Sequence, residues 1–334
     1  MEKLGPEFRF DYGLFEKKIS LISNELKESK FDPETLKEGI LSMGYEVEDL
    51  KLEKFEGETN FLAVDSSIGN LELRYNALWG LHAITLNATF DREQHPDPLT
   101  NGKIWYRDLM YNSYLDLGIF IPYRNIEERS DLIRIKKEFD SLIDSHKELE
   151  EGIDFLLIDG SLYTIMRKFN LRRDLRDTDE YHNALNSYNS LLKTGKIVAM
   201  VEDSHSTDIT RKLGMEFTNL SLFDLILEEN QYIAEKKNDI WICHIKLPSK
   251  ELTYVPSRKS KPLVVRWEFS YTDFRSDLER LAYIWSLEDD IFHPQIYPLR
   301  IADYLTRKIR IGGVLKKLAE ENDLELRYRE GRES

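Results

Sequence analysis

Residues 61–67 read Phe-Leu-Ala-Val-Asp-Ser-Ser, and residues 155–161 read Phe-Leu-Leu-Ile-Asp-Gly-Ser. Each is a compact apolar run of strand length that stops at an aspartate followed by small polar residues. A buried strand of that kind delivers its carboxylate to the edge of an open α/β sheet, where ligands bind. A third run, Ile-Val-Ala-Met-Val at 197–201, stops at Glu202, Asp203 and Ser204. Between the first two, Leu132, Ile135, Phe139, Leu142 and Ile143 share one helical face, which predicts a long crossover helix over 125–146 with Asn125 and Glu128 as an N-capping pair. Strands of buried type joined by a helical crossover define the α/β class.

Outward from this centre the pattern is weaker. Segments 71–78 and 80–90 are expected as two further strands separated by Trp79 and Gly80, and the stretch DREQHPDPLTNG from Asp91 as an exposed loop. Residues 240–247 and 263–269 are expected to pair, and a final helix to begin after Pro298. Residues 9–29 have helical spacing, and 33–54 read as a short helix and an acidic connection. There is no repeat and no Gly/Ser linker, so the expected organisation is an N-terminal helical extension, 1–55, on one elaborated domain, 56–334.

The chain has 334 residues, 41% apolar and 32% charged, enough for a continuous core and too apolar for a largely disordered protein. One cysteine, Cys243, excludes an internal disulfide and a multi-cysteine zinc site, so any metal must be held by oxygen or imidazole. No run approaches the ~18 apolar residues of a membrane span, and no signal peptide is evident. A cytoplasmic protein is expected. Glutamine occurs only at Gln94, Gln231 and Gln295, a bias compatible with a heat-adapted source.

A net charge of −14 argues against a generally basic nucleic-acid coat but leaves room for a local channel. Three basic groups are candidate phosphate contacts: Arg167, Lys168, Arg172, Arg173 and Arg176; Arg258, Lys259, Lys261 and Arg266; and Arg307, Lys308 and Arg310. The plain alternative for each is a solvated face. Tyr163, Tyr123 and Trp267 are candidate base-stacking rings, although core packing is the better default for Trp267.

Asp65 and Asp159 are the candidate chemical centre. Clustered carboxylates repel unless a hard cation such as Mg²⁺ or Mn²⁺ neutralises them. The competing reading is local: Asp65 forming a turn with Ser66 and Ser67, and Asp159 opening a tight Asp-Gly turn. Glu138, on the edge of the crossover helix's apolar stripe, is the preferred third ligand over Glu128. No His/Asp pair supports Ser66, Ser67 or Ser161 as a hydrolase nucleophile, G-x-S-x-G is absent, and neither a P-loop nor a Rossmann glycine motif occurs.

FLAVDSS, FLLIDGSLY, IVAMVEDSHS at 197–206, PLVVRWEF at 262–269 and HPQIYPLRIADYLTRK at 293–308, taken in this order, resemble the NurA nucleases. The resemblance covers most of the chain. It implies an RNase-H-like mixed sheet flanked by helices, with N-terminal and C-terminal helical elaborations. It also implies a metal-dependent 5′-3′ exonuclease and single-strand endonuclease that uses Mn²⁺ or Mg²⁺, forms a homodimer and resects DNA ends in archaeal repair and recombination with a HerA-type hexameric ATPase. By resemblance the metal ligands fall on Asp65, Glu138 and Asp159, and a fourth catalytic position on Asp303, where the family often has histidine; His293 is a substitute. Arg167, Arg172, Arg173 and Tyr163 are the expected DNA contacts. Glu202 stands where lysine is expected, so Asp203 and Ser204 are weaker site members. Two other classes stay open: an actin/hexokinase-like ATPase, because Asp-Ser-Ser-x-Gly loosely resembles a phosphate loop, and a catalytically silent DNA clamp.

Overall fold

The computed structural model describes residues 32–99, 102–120, 125–149, 152–202, 204–250 and 260–324. The expected helix at 9–29 and the candidates Tyr123, Asp203, Arg258 and Lys259 lie outside the described residues. So does the side chain of Arg173, whose backbone sits in a short 3₁₀ turn, Arg173–Leu175. Contacts divide the chain after Gly44. The first unit contributes helix α1, Pro33–Ser42, opened by Asp32, whose carboxylate accepts from the Thr35 N–H, and by a proline in the first turn.

The second unit is built on a nine-stranded mixed sheet, in the order β1 (Val47–Asp49), β7 (Gln231–Lys237), β8 (Ile240–Leu247), β9 (Leu263–Phe269), β6 (Ile197–Val201), β5 (Phe155–Asp159), β2 (Thr59–Glu72), β3 (Ala77–Pro96), β4 (Lys103–Phe120). Only β2, β5 and β6 run parallel; every other pairing is antiparallel. The parallel steps need crossovers. Helix α2 (Ile126–Glu148) supplies the first, and α3 (Leu162–Leu171) and α4 (Asp179–Leu191) the second; the short α5 (Asp208–Lys212) and α6 (Asn219–Ile226) follow β6. The meander β4-β3-β2 continued by parallel β5 and β6 is the RNase-H-like centre, as the sequence led us to expect.

Strand alternation decides which layer each residue meets. Phe61 and Ala63 pack with Trp267, Leu299 and Ala302, under α7 (Arg275–Leu287) and α8 (Tyr297–Arg307). Leu62 and Val64 pack on the other face with Leu132, Ile135 and Phe139 of α2. Because both faces are covered, the central strands read as continuous apolar runs.

Several expectations are corrected. Strand β2 does not end at Asp65; it continues to Glu72, because β3 pairs with it over its whole length, from Thr59↔Phe90 to Glu72↔Ala77. What ends is the parallel pairing, whose last partners are Val64 and Ile158. Trp79 and Gly80 lie inside β3 rather than between two strands, and the turn falls at Leu73–Asn76, closed by the Leu73 N–H to the Asn76 carbonyl at 2.8 Å. Residues 91–96 extend β3 instead of forming a loop. Asn125 does not cap α2: its backbone is left-handed (φ 51°) and its side chain makes no cap bond, donating instead to Asp174. Among the described residues, no helix is long and apolar enough to cross a membrane.

Gly69 and Gly80 are partners across β2 and β3, and α9 (Ile311–Glu321) lies against both. A β-carbon on Gly69 would stand 2.9 Å from the Gly312 backbone nitrogen, and one on Gly80 2.9 Å from the Ile311 side chain. Backbone cannot step aside as a side chain tip can, so Gly69→Ala should destabilise the protein by about 1–3 kcal/mol in urea unfolding. Unchanged stability would show that α9 does not bear on this crossing.

Candidate active site

Asp65 and Asp159 each stand one position beyond the last parallel-paired residues, Val64 and Ile158. They therefore project from neighbouring strands, about 4.8 Å apart, onto the face covered by α8. Asp65 is only 8% exposed. Its Oδ2 accepts from the Thr306 hydroxyl of α8 at 2.5 Å. Asp159 Oδ1 accepts from Gln295 Nε2 at 2.8 Å. Helix α8 is itself pinned to the sheet: the buried His82 of β3 donates from Nδ1 to the Thr306 carbonyl at 3.3 Å, which leaves Nε2 to accept from Ser113 Oγ at 3.0 Å.

Glu138 comes from the opposite layer. It lies beside Ile135, Phe139 and Leu142 on the packed face of α2 and is 5% exposed. Ser66, which alternates to that face, donates to Glu138 Oε1 at 2.5 Å, and Arg134 donates to the same oxygen at 2.7 Å. Asp303 on α8 is half-buried and pairs with Arg307 at 2.6 Å. These acids feel one another. Burial, then the charge of Glu138, push Asp65 up to about 7, with Asp159 and Asp303 acting the same way and the Thr306 bond opposing. Burial likewise pushes Asp159 up to about 6; Gln295 opposes the shift, while Glu202, Glu138 and Asp303 add to it.

The donor chemistry fits a hard divalent cation. Every converging group is a carboxylate, no cation pairs with Asp65 or Asp159 among the described residues, and the charged forms of both are disfavoured until positive charge arrives. Among the described residues no three such groups already stand as a closed metal cage. Asp65, Glu138 and Asp159 are the carboxylates whose charges act on one another here, with Asp303 beside them.

The remaining sequence candidates divide clearly. Glu128 is remote from this cluster and pairs with Arg172 at 3.2 Å. His293 is held by Asp290 at 2.8 Å, with Glu202 at 3.8 Å. Tyr163 and Arg167 line a cavity of about 410 Å³ that also contains Asp159. The Arg167 guanidinium lies 6.0 Å from the centre of the Tyr163 ring. Trp267 is fully buried and donates to the Pro294 carbonyl at 3.0 Å, so it packs the core and stacks on no base. Arg266 is no surface phosphate contact: it is 5% exposed and pairs with the fully buried Glu268 at 2.5 Å. Glu268 also accepts from the Ser161 hydroxyl and the Tyr163 N–H, anchoring the turn after Asp159.

Thr306, Gln295, Arg134 and Glu268 escaped the sequence reading. Thr306 and Gln295 carry no charge and Arg134 falls among the many charges of α2. Glu268 was the one with a signal, as an acid inside the apolar run PLVVRWEF.

Fold and site together define an RNase-H-like α/β protein with clustered carboxylates at the carboxyl edge of its parallel strands. A family model described as the NurA domain matches residues 59–303, and the chain belongs to the NurA family. The crystal structure of the NurA nuclease from Sulfolobus solfataricus is similar over 94% of this chain and 98% of its own, with 13% identity and a TM-score of 0.55. A structure of NurA bound to dAMP and manganese covers 96% of this chain and 99% of its own, at 10% identity and a TM-score of 0.55. One of NurA with manganese covers 95% and 99%, at 11% identity and 0.52. At such identities the likeness shows the shared fold. No curated protein matches the chain.

The raised acids carry a consequence for stability. A carboxyl whose folded value lies above its unfolded value contributes stability below the unfolded value, near 3.8, and loses it as pH rises through the folded value, about 7 for Asp65. In chelator at about pH 8, Asp65→Asn should therefore unfold at higher urea than the wild type, by about 1–3 kcal/mol, with the difference shrinking toward about pH 4. A less stable Asn variant at about pH 8 would show that the charge at Asp65 is not penalised.

Proposed function

We propose that this chain is a divalent-metal-dependent deoxyribonuclease that hydrolyses phosphodiester bonds. Asp65, Glu138 and Asp159 hold the metal and Asp303 completes the catalytic set. The observation that carries the reading is the buried Asp65 and the half-buried Asp159, side by side on adjacent parallel strands, with the charge of the buried Glu138 acting on both from the opposite layer. The NurA structures with manganese support Mn²⁺, with Mg²⁺ the alternative, and the dAMP-bound one supports a nucleotide-containing substrate.

When bound, the ion supplies Lewis acidity toward the phosphate and a water more readily deprotonated at neutral pH. The protein's own groups do the rest. Thr306 and Gln295 fix the rotamers of Asp65 and Asp159 through their bonded oxygens, leaving Oδ1 of Asp65 and Oδ2 of Asp159 for coordination. Ser66 likewise occupies one oxygen of Glu138. Arg167, Arg172, Arg173 and Tyr163 guide the strand through phosphate and stacking contacts that carry little sequence preference.

The fuller reading is a homodimeric, cytoplasmic enzyme acting from 5′ ends on duplex DNA and endonucleolytically on single strands, resecting ends with a HerA-type hexameric ATPase. Family membership supports it. This chain has no P-loop, so translocation would fall to that partner.

Labelled DNA and Mn²⁺ test the proposal. Loss of an outer-shell partner of a metal site reduces activity about 10–100-fold, so Asp65→Ala and Asp159→Ala, which remove ligands themselves, should reduce cleavage by ~100-fold or more with folding intact. Glu138→Ala should behave similarly, whereas Glu128→Ala should keep cleavage. Full cleavage by Asp159→Ala rejects the site.

A further inference from the structure

The cavity beside Asp159 has an unusual charge inventory. Its wall includes Arg134, Lys168, Arg266 and Arg167. Asp131 accepts from Arg134 at 3.1 Å and from Lys168 at 2.5 Å, while Glu138 accepts from Arg134 at 2.7 Å. Two cations thus face two acids. Arg266 is matched by Glu268, yet its buried Nε has no hydrogen-bond partner. Arg167 has no ion-pair partner among the described residues. The N-terminal turn of α3 recruits no anion by itself, because the Tyr163 N–H is taken by Glu268 and the Thr164 N–H by Ser161.

With its acids ionised, the cavity is close to neutral. A divalent ion on Glu138 and Asp159 changes that sum. Glu138 no longer needs Arg134, and Asp131 alone faces both Arg134 and Lys168. One cation is then in surplus on a wall shared by the carboxylates and the cavity. A guanidinium is the side chain best matched to phosphate oxygens.

We infer that this cavity seats a phosphate of the DNA strand next to the bond being cut, and that Arg134 couples the seat to the metal. Arg134 is held by Glu138 without metal and donates to the strand phosphate once the ion engages Glu138. The inference rests on the nuclease reading and adds to it a substrate contact that metal occupancy controls. The occupant is a phosphate ester, either an internal diester or a 5′-terminal monoester.

The test uses fluorescence anisotropy of a single-stranded oligonucleotide with the full chain, in Ca²⁺ and in EDTA, beside calorimetric Mn²⁺ titration without DNA. Wild type should bind more tightly in Ca²⁺. Arg134→Gln should lose about tenfold of that gain, as expected for a charged hydrogen bond, while binding Mn²⁺ at least as tightly as wild type because a competitor for Glu138 is gone. A merely structural Arg134 predicts that both affinities fall, and that result overturns the inference, as does wild-type DNA affinity in Arg134→Gln. Should Arg134→Gln fail to fold, Asp131→Asn serves instead: removing the balancing acid should raise affinity in EDTA and narrow the Ca²⁺ gain, and an unchanged gain overturns the inference. A 5′-terminal occupant makes the Arg134 effect larger on 5′-phosphorylated than on 5′-hydroxyl strands, an internal one makes it equal, and both support the seat. If Asp159→Ala loses cleavage while Arg134→Gln binds DNA normally, the nuclease reading stands and this inference alone falls.

Discussion

Ionised carboxylates buried beside one another raise the free energy of the folded chain, and the architecture around β2 and β5 exists under that constraint. Among the described residues Asp65 and Asp159 lose water without gaining a cation, and nearby charge strengthens each one's hold on a proton, Glu138 and then Asp159 acting on Asp65, Glu202 and then Glu138 acting on Asp159. A chain selected for stability alone would not keep this arrangement; hydrophobic residues of similar size would pack there at less cost. The neighbours restrain the acids without neutralising them. Thr306 and Gln295 donate neutral hydrogen bonds, while Arg134 stands on Glu138 and Arg307 on Asp303, at the edges of the group.

Both helical layers are needed to build the group. The α8 layer provides Thr306 and Asp303, and the α2 layer provides Glu138 and Arg134, while the alternation of β2 sends Asp65 to one face and Ser66 to the other. A one-residue slip of β2 would exchange these two and dismantle the site. Long antiparallel pairing with β3 opposes such a slip, and the glycine pair under α9 fixes where the C-terminal helices cross.

How much of this was legible depends on how locally each feature is encoded. The three buried strands announced themselves because a run flanked by polar residues and covered on both faces must be uniformly apolar, and the acids after them were conspicuous by contrast. The stripe Leu132, Ile135, Phe139 located α2 and put Glu138 on its packed edge. Strand β4 was not foreseen, since as an edge strand it exposes Met110, Tyr111, Leu115 and Leu117 and lacks clean alternation. The true length of β2 and β3 was hidden because it depends on their partnership, and glycines inside a strand read as breaks until the helix packed on them is seen. Asn125 satisfied a capping pattern that its left-handed backbone excludes. Thr306, 241 residues from Asp65, bonds to it through a contact that only the tertiary fold defines.

The central claim is that side chains distant in sequence converge to cage a divalent ion. An anomalous difference map from a crystal soaked in Mn²⁺ tests it most directly. The account predicts a peak in direct coordination with Asp65 and Asp159 and in reach of Glu138. A fully soaked crystal with no peak there, or with manganese bound only elsewhere on the surface, would contradict it.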